Sequence, residues 1–205
     1  MLNNAEGIKT PLNLEILKGQ LESFSNRVVD ALSELRIYDA IHGLELDHVG
    51  MRVADVELIE TLKAELAEAG ECISAVNVNG REIDIFQMHE KFYIGNWAVR
   101  GVELPYPKED HRYEDGWEHV EFVLEEAEDE NGEMTMGSVK TAFFAKFPNL
   151  TEGVLRRDYE YKESEPEAER DQMPNPTISI RVGGVVLKFH GNSIQDVVGY
   201  KPELS

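Results

Sequence analysis

Apolar residues recur every three or four positions in the N-terminal part of the chain, between Leu12 and Arg36. This spacing places them along one side of a helix, so it predicts an amphipathic helix that packs on the rest of the protein. Asn13 can serve as its N-cap, and Asp39 to Gly43 breaks the pattern before the next element. We therefore predict a helical extension over residues 1–43. The apolar stripe consists of Leu14, Leu17, Leu21, Phe24, Val28, Leu32 and Leu35.

After this extension the pattern changes to short apolar runs in which buried and polar positions alternate, as they do in strands. A first strand leads to Asp55, which can cap a helix that ends at Gly70. The next two strands flank Asn79-Gly80, a strong signal for a two-residue hairpin turn. The predicted strands are the one that begins at Leu46 and those over Cys72 to Val78, Arg81 to Met88 and Asn96 to Leu104.

The second half of the chain repeats this order of elements. Strand, helix and three strands, twice over, predict an α+β fold made by duplication. We place the two modules at residues 44–110 and 111–205, within a single structural domain. The elements of the second module are a strand with His119, a helix around Ser138 to Phe147, a strand near Val154 to Tyr161, a hairpin of Thr177 to Val182 and Val185 to His190 that turns at Gly183-Gly184, and a short terminal helix from Ser193.

Two histidines occupy matching places in the two predicted modules. Each follows an acidic residue and precedes a valine in the first strand of its module, and they lie 71 positions apart. Because strand side chains alternate between faces, His48 shares a face with Arg52, and His119 shares a face with Glu121. A single histidine in a strand is more often structural than functional. Two at equivalent positions predict a polar pocket between the modules.

Composition limits the classes of partner. The 205 residues include 20 Lys and Arg against 40 Asp and Glu, which gives a net charge of −20. This charge repels phosphate backbones and anionic lipid surfaces, so we expect neither nucleic acid nor a membrane as partner. Much of the acid lies in Glu125 to Glu133 and Glu163 to Asp171, which we interpret as solvated loops.

The compartment that the sequence predicts is the cytoplasm. Cys72 is the only cysteine, which excludes a disulfide within the chain. Met1 to Lys18 lacks the basic start and apolar core of a secretory signal. No apolar run approaches the roughly 20 residues that a membrane span requires.

Several stretches resemble known families. Those around the two histidines and Glu103 resemble strands of the vicinal oxygen chelate superfamily, which includes glyoxalase I, extradiol dioxygenases, methylmalonyl-CoA epimerase and bleomycin-resistance proteins. Five stretches between about Leu46 and Val198 resemble more closely the YecM family of small bacterial proteins. These five are Asn79-Gly80-Arg81, Val102-Glu103-Leu104-Pro105, Gly116-Trp117-Glu118-His119-Val120, Pro174-Asn175-Pro176-Thr177, and Leu187-Lys188-Phe189-His190 with Ser193-Ile194.

The resemblance implies paired βαβββ modules that form an open mixed β-barrel around a cleft with one divalent metal ion. In the superfamily, the first and fourth strands of each module supply the ligands. By position these fall on His48, Glu103, His119 and the strand Val185 to His190. Imidazole and carboxylate ligands suit Zn²⁺, Ni²⁺, Fe²⁺ or Mn²⁺. For Glu103, which precedes Pro105, a solvent-facing position at a strand end is the alternative.

The fourth ligand departs from the glyoxalase pattern, because the strand that should supply a glutamate has no carboxylate. We predict His190 in its place, since a protonated Lys188 on the same face has no free lone pair. Glutamate at that position also acts as base in glyoxalase, and here Glu121 is our candidate catalytic base. Lys188 is predicted to hold an anionic substrate near the ion. Arg52 is predicted either to bind a substrate carboxylate bidentately or to pair with a buried acid.

These residues lead to two classes of function. The first is a metal-dependent enzyme that chelates two neighbouring oxygens of a small organic acid or carbonyl compound, with isomerase, epimerase or lyase-like chemistry. An Fe²⁺ dioxygenase is a close variant, because two histidines and one carboxylate can form a facial triad. The second is a non-catalytic protein of the bleomycin-resistance type, whose cleft only binds a small molecule.

Overall fold

The computed structural model describes residues 12–107, 114–156, 158–166, 168 and 173–202. In these ranges the chain forms six helices and eight strands. The helices are α1 (Leu14–Glu34), α2 (Tyr38–Ile41), α3 (Val56–Ala69), α4 (Met136–Lys146), α5 (Leu150–Arg156) and α6 (Ile194–Val197). The strands are β1 (Glu45–Arg52), β2 (Gly70–Val78), β3 (Arg81–Ile94), β4 (Trp97–Pro105), β5 (Gly116–Val123), β6 (Glu160–Ser164), β7 (Thr177–Val182) and β8 (Val185–His190). None of these helices is long and apolar enough to cross a bilayer.

The eight described strands form one mixed sheet in the order β2-β3-β4-β1-β5-β8-β7-β6, which has two ends and so is open. In each half the first strand runs parallel to the last, β1 with β4 and β5 with β8. The halves join where β1 runs antiparallel to β5. The predicted α+β fold of paired βαβββ modules is therefore confirmed. The boundary predicted between residues 110 and 111 lies outside the described residues, as does part of the predicted extension.

The N-terminal helix packs on the sheet as its apolar stripe predicts. Asn13 caps α1 by accepting a hydrogen bond from the backbone N–H of Ile16 at 2.8 Å. The helix contacts β3, β5 and β8, and the indole N–H of Trp117 donates to the carbonyl of Leu17 at 2.8 Å. One face of the central strands is thereby covered. Its fully buried residues include Val49, Met51, Val120 and Phe122.

Both hairpin turns form at the predicted dipeptides. Asn79 and Gly80 have φ angles of 50° and 80°, and Gly183 and Gly184 have 57° and 79°. Two successive residues with positive φ are typical of a type I′ turn, whose twist matches that of the strands it joins. The registers β2–β3 and β7–β8 are set by these turns.

One predicted strand was wrong. Val154 to Tyr161 was expected to be a strand, but the structure has α5 over Leu150–Arg156, and the strand β6 begins only at Glu160. Leu150 and Val154 are four residues apart, the spacing of a helix, and the hydroxyl of Tyr159 donates to the carbonyl of Leu150 at 2.5 Å. Since β6 is an edge strand, its polar sequence did not give the apolar signal of a buried one.

A buried ion pair joins α3 to β3. Asp84 is fully buried, and its carboxylate lies 2.8 Å from the ammonium of Lys63. The hydrogen bond to Asp84 raises the pKa of Lys63. Burial raises the pKa of Asp84, and Lys63 only partly offsets this shift. The pair therefore stabilises the fold mainly because the Lys63 ammonium balances the negative charge of the buried Asp84 carboxylate.

Lys63→Met should lower the free energy of unfolding by about 2–3 kcal/mol at neutral pH, because it leaves the Asp84 carboxylate buried without its cation. Urea denaturation followed by circular dichroism measures this loss. The double variant Lys63→Met/Asp84→Asn should recover most of it, and Lys91→Met, at an exposed position of β3, is the control. An unchanged denaturation midpoint for Lys63→Met would contradict the prediction.

Candidate metal centre

Four side chains converge where β1, β4 and β5 lie side by side at the centre of the sheet. They are His48, Glu103, His119 and Glu121, and one ligand atom from each lies within 4.8 Å of all the others. All four residues are buried, and His48, Glu103 and Glu121 line a cavity of about 400 Å³ that both modules form. The structure thus brings together the two histidines that the duplicated pattern singles out.

The two imidazoles face the same pair of carboxylates at equal distances. Nε2 of His48 and Nε2 of His119 each lie 3.2 Å from Oε1 of Glu121. Each also lies 3.7 Å from Oε2 of Glu103. This arrangement presents two nitrogen and two oxygen atoms to a common centre.

The other nitrogen of each histidine is held by the acidic residue that precedes it. Nδ1 of His48 lies 2.7 Å from Asp47, and Nδ1 of His119 lies 3.2 Å from Glu118. Neighbouring residues of a regular strand point to opposite faces, but the register of β1 with β5 skips Asp47 and Glu118. Such irregularities place a side chain on the face of the sheet opposite to the one it would have in a regular strand. A carboxylate on Nδ1 fixes the ring orientation and leaves Nε2 for a ligand.

Sequence reasoning did not assign a role to Asp47 or Glu118. The signal was present, because an acidic residue precedes each histidine. Strand alternation, however, predicts that such a residue points away from the histidine that follows it. Only the register of the two strands shows that both acids lie on the same side as the imidazoles.

The strand pairing also explains why Glu121 belongs to the group. Two residues after the histidine, the first module has Gly50, whose partner on β4 is Glu103. The corresponding residues of the second module are Glu121 and its β8 partner Lys188. The carboxylate of the second module is thus on the first strand of the module instead of the fourth. A lysine occupies the place that corresponds to Glu103.

His190, the fourth ligand that the sequence favoured, lies outside the group of four. It is two residues beyond Lys188 on β8, about 6.6 Å further along the strand. Its Nδ1 donates to the carbonyl of Asn192 at 2.7 Å, so Nε2 carries the lone pair. That Nε2 lies 3.4 Å from Glu121 and 3.6 Å from Asp47. Burial lowers the pKa of His190, which keeps the imidazole neutral behind the group.

Lys188 reaches into the group itself. Its ammonium lies 2.5 Å from Oε1 of Glu121 and 3.3 Å from Nε2 of His119. Burial lowers the pKa of Lys188, but Glu121 and Glu103 outweigh burial and raise it. The lysine is therefore charged, and its ammonium lies among the atoms that would bind a metal ion.

Ion pairing rather than burial sets the charges of the group. Burial lowers the pKa of His48, but Glu121, Asp47 and Glu103 together raise it well above its usual value. Burial raises the pKa of Glu103 and of Glu121, but Lys188 and the imidazoles hold both well below their usual range. Both glutamates are thus ionised, and a metal ion that binds here would displace the proton of His48.

The donor set fits a divalent metal ion. Two imidazoles and two carboxylates suit Zn²⁺, Ni²⁺, Fe²⁺ or Mn²⁺. Nε2 of His48 is buried and makes no hydrogen bond of good geometry within the described part of the chain, although Glu121 is 3.2 Å away. Buried polar atoms normally have a hydrogen-bond partner. Nε2 of His48 is therefore a candidate ligand for a metal ion.

Arg52 forms an ion pair with a partly buried acid, Glu118. Its Nε lies 2.7 Å from Glu118, and a guanidinium nitrogen of Arg181 lies 3.4 Å from the same carboxylate. Burial raises the pKa of Glu118, but His119 and Arg52 outweigh burial and lower it to about 2. Arg52 thus keeps Glu118 ionised as the acceptor that orients His119.

Paired βαβββ modules around a histidine and glutamate group are what the resemblance to vicinal oxygen chelate proteins implies. A family model described as YecM protein matches residues 13–201, and the chain belongs to this YecM family. Protein YecM of Escherichia coli (strain K12) is 32% identical over 174 residues, which cover 84% of this chain and 87% of that protein.

Two further comparisons agree with this assignment. An uncharacterized protein of Haemophilus influenzae is 28% identical over 188 residues, 89% of this chain and 92% of that protein. A solved structure described as Structural Genomics, Protein EC4020 superposes with a TM-score of 0.74 and 27% identity, and the match covers 91% of both chains. The fold and the family are thus shared over nearly the whole length.

Gly50 provides the space that the imidazole of His119 fills. A Cβ atom at Gly50 would lie 2.0 Å from both Cε1 and Nε2 of His119. At Gly43, by contrast, a Cβ atom would meet nothing within 4 Å. Glycine is therefore required at position 50 because a side chain there would overlap the His119 ring, and not because its backbone has a positive φ angle.

Gly50→Ala should move the His119 ring and lower the free energy of unfolding by about 1–3 kcal/mol, the usual cost of overpacking. The displacement is measured as a change in the imidazole Cε1–H signal by NMR, assigned as the signal that His119→Gln removes. Gly43→Ala, the control, should leave both quantities unchanged. A His119 signal that stays in place in Gly50→Ala would show that the ring does not occupy this space.

Proposed function

We propose that the protein is a divalent-metal-dependent enzyme that acts on a small molecule with two neighbouring oxygens. The observation that carries the proposal is the convergence of four buried side chains, three of which line the cavity. The four are His48, Glu103, His119 and Glu121, and His119 is the one that does not line it. Their side chains would hold one metal ion, and Asp47 and Glu118 would orient the two imidazoles. A small organic acid or carbonyl compound is the proposed substrate class, in place of nucleic acid or a lipid surface.

The residues around the group have distinct proposed tasks. A metal ion would act as a Lewis acid on the substrate oxygens. Glu121 is our candidate for the base, because Oε1 faces the imidazoles while Oε2 lies 3.4 Å from Nε2 of His190. The Glu121 carboxylate would accept a proton from the substrate, and the neutral imidazole of His190 beside it could share that proton. Lys188 would hold an anionic oxygen of the substrate.

Two reaction types follow from this arrangement. An isomerase, epimerase or lyase-like enzyme would use Glu121 to move a C–H proton, and solvent deuterium would then enter the product. An Fe²⁺ dioxygenase would instead consume oxygen in proportion to turnover. We place the first type ahead of the second because the group contains two carboxylates, one more than a facial triad requires. The proposed compartment is the cytoplasm, where the exposed thiol of Cys72 would stay reduced.

A non-catalytic binding protein is the second candidate, and the position of Lys188 is the observation that favours it. An ammonium 2.5 Å from Glu121 already neutralises part of the group without a metal ion. In such a protein, a chelator would leave ligand affinity intact. In the metal-dependent enzyme, a chelator would abolish turnover.

Glu103→Gln and Glu121→Gln should each weaken metal binding by about tenfold or more, since each removes a carboxylate from the group. His190→Ala should weaken it much less. The measurement is calorimetric titration of untagged, chelator-treated protein with Zn²⁺, Ni²⁺ and Mn²⁺, with Fe²⁺ added under anaerobic conditions. Glu160→Gln, a cavity-lining carboxylate outside the group, is the control.

Two outcomes would count against this assignment. An equal loss in His190→Ala and Glu121→Gln would restore His190 as the fourth ligand. Failure of the unaltered protein to bind any of the four ions at micromolar concentration would overturn the metal-dependent function and leave the binding protein.

Lys188→Met should strengthen metal binding by about tenfold or more, because two unit charges 4 Å apart at an effective dielectric constant near 20 repel by about 4 kcal/mol. The same calorimetric titration measures the gain. Lys162→Met removes a positive charge from the cavity without touching the group and should change metal affinity little. Equal or weaker metal binding by Lys188→Met would mean that the lysine does not compete for the site.

A further inference from the structure

We propose that the cavity selects an amphipathic anion, with an apolar body along one wall and an anionic group against the other. The inference rests on the proposed function, because it concerns the substrate of the same cavity. It is carried by a difference in chemistry between the walls that the two modules supply. Between these walls lies the metal group, which consists of His48, Glu103, His119 and Glu121.

The wall from the first module is mostly apolar. On β2 and β3 the side chains that line the cavity are Ser74, Val76, Val78, Arg81, Ile83 and Ile85, which alternate with residues that point away. Ser74 and Arg81 lie at opposite ends of this set, and the other four side chains are branched and apolar. Val76 and Ile83 are cross-strand partners, and three of the four are only half-buried. Val197 and Val198, at the end of α6, line the same cavity. Branched apolar side chains left partly exposed inside a cavity are suited to an apolar part of a ligand.

The wall from the second module is polar, and its strands carry a row of ammonium and hydroxyl donors. Lys188 on β8 pairs with Ser179 on β7, and Ser179 pairs with Lys162 on β6. All three residues line the cavity, so the row runs outwards from the metal group. Two strand spacings separate the lysines, about 10 Å. An anionic group therefore meets hydroxyl and ammonium donors along this row.

Lys162 is the cation of this row that is available to a ligand. Its side chain is exposed, and within the described residues the structure gives its ammonium no ion pair. Lys188 is bound to Glu121, and Arg181, the next basic residue on this wall, lies between Glu118 and Glu160. The outer end of the row is thus where an anionic group gains most from binding.

The charge balance of the cavity permits an anion although the chain as a whole is acidic. Among the described residues, five Lys and Arg and four Glu line the cavity, against 20 and 40 in the whole chain. The lining thus carries one basic residue more than acidic ones, whereas the whole chain has a net charge of −20, so the cavity repels an anion far less than the rest of the surface does. The volume of about 400 Å³ lies within the range of small-molecule sites, roughly 300–1,000 Å³.

The test uses 1-anilinonaphthalene-8-sulfonate, which has an apolar ring system and an anionic group, as a fluorescent probe of chelator-treated protein. Lys162→Met should weaken binding of the probe about fivefold or more, because it removes the available cation. Val78→Ser should weaken it to a similar extent by making the apolar wall polar. Lys91→Met, an exposed lysine of β3 that does not line the cavity, should bind the probe as the unaltered protein does.

Displacement of the probe by small competitors then tests the contribution of each wall separately. Octanoate should displace it at concentrations about tenfold below those of octanamide, which lacks the charge, and of acetate, which lacks the apolar chain. Octanamide as effective as octanoate would overturn the anionic half of the inference. Acetate as effective as octanoate would overturn the apolar half.

The metal titration of the same preparations keeps this result apart from the proposed function. Intact metal binding with no preference for octanoate would reject the amphipathic anion and leave the metal-dependent function standing. A preference for octanoate that Lys162→Met and Val78→Ser abolish, in protein that binds no metal, would support the inference and reject the metal-dependent function.

Discussion

The antiparallel pairing of β1 with β5 is the interaction on which the site depends. It joins the two modules into one sheet, and its register skips Asp47 on one strand and Glu118 on the other. A shift of one residue in a strand moves a side chain to the opposite face, so these two irregularities bring each acid beside its histidine. The opposite face of the same strands stays packed under α1. One set of backbone hydrogen bonds thus fixes both the core and the orientation of the imidazoles.

Duplication explains the symmetry of the site, and a change of charge between the modules explains its asymmetry. Gly50 and Glu103 of the first module correspond in register to Glu121 and Lys188 of the second. The absence of a side chain at Gly50 leaves room for His119, and the carboxylate of Glu121 lies near both imidazoles. Lys188 then brings a positive charge into the group. This ammonium neutralises part of the charge of the buried glutamates, and the corresponding position of the first module is a glutamate, Glu103.

The same asymmetry extends outwards from His48, Glu103, His119 and Glu121 to the walls of the cavity. The hairpin of β2 and β3 lines the cavity mostly with valine and isoleucine, whereas β6 and β7 line it with lysine, arginine, glutamate, serine and threonine. Both walls follow from strand alternation, because every second residue faces the cavity. The modules therefore share a backbone plan but differ in the ligand surface they offer.

The local features of the fold could be predicted from the sequence alone. The stripe of α1, the Asn79-Gly80 and Gly183-Gly184 turns and the repeated strand order follow from spacing and turn chemistry, which depend on near neighbours in the chain. The sequence also predicted that Glu121, Lys188 and His190 share faces with the predicted ligands, but not how far they lie from the two imidazoles. Only the tertiary structure shows that Glu121 lies 3.2 Å from both imidazoles and that Asp47 and Glu118 lie beside their Nδ1 atoms. The register between strands sets the distance between side chains on a shared face. Register itself depends on pairing between residues far apart in the sequence, so local patterns do not reveal it.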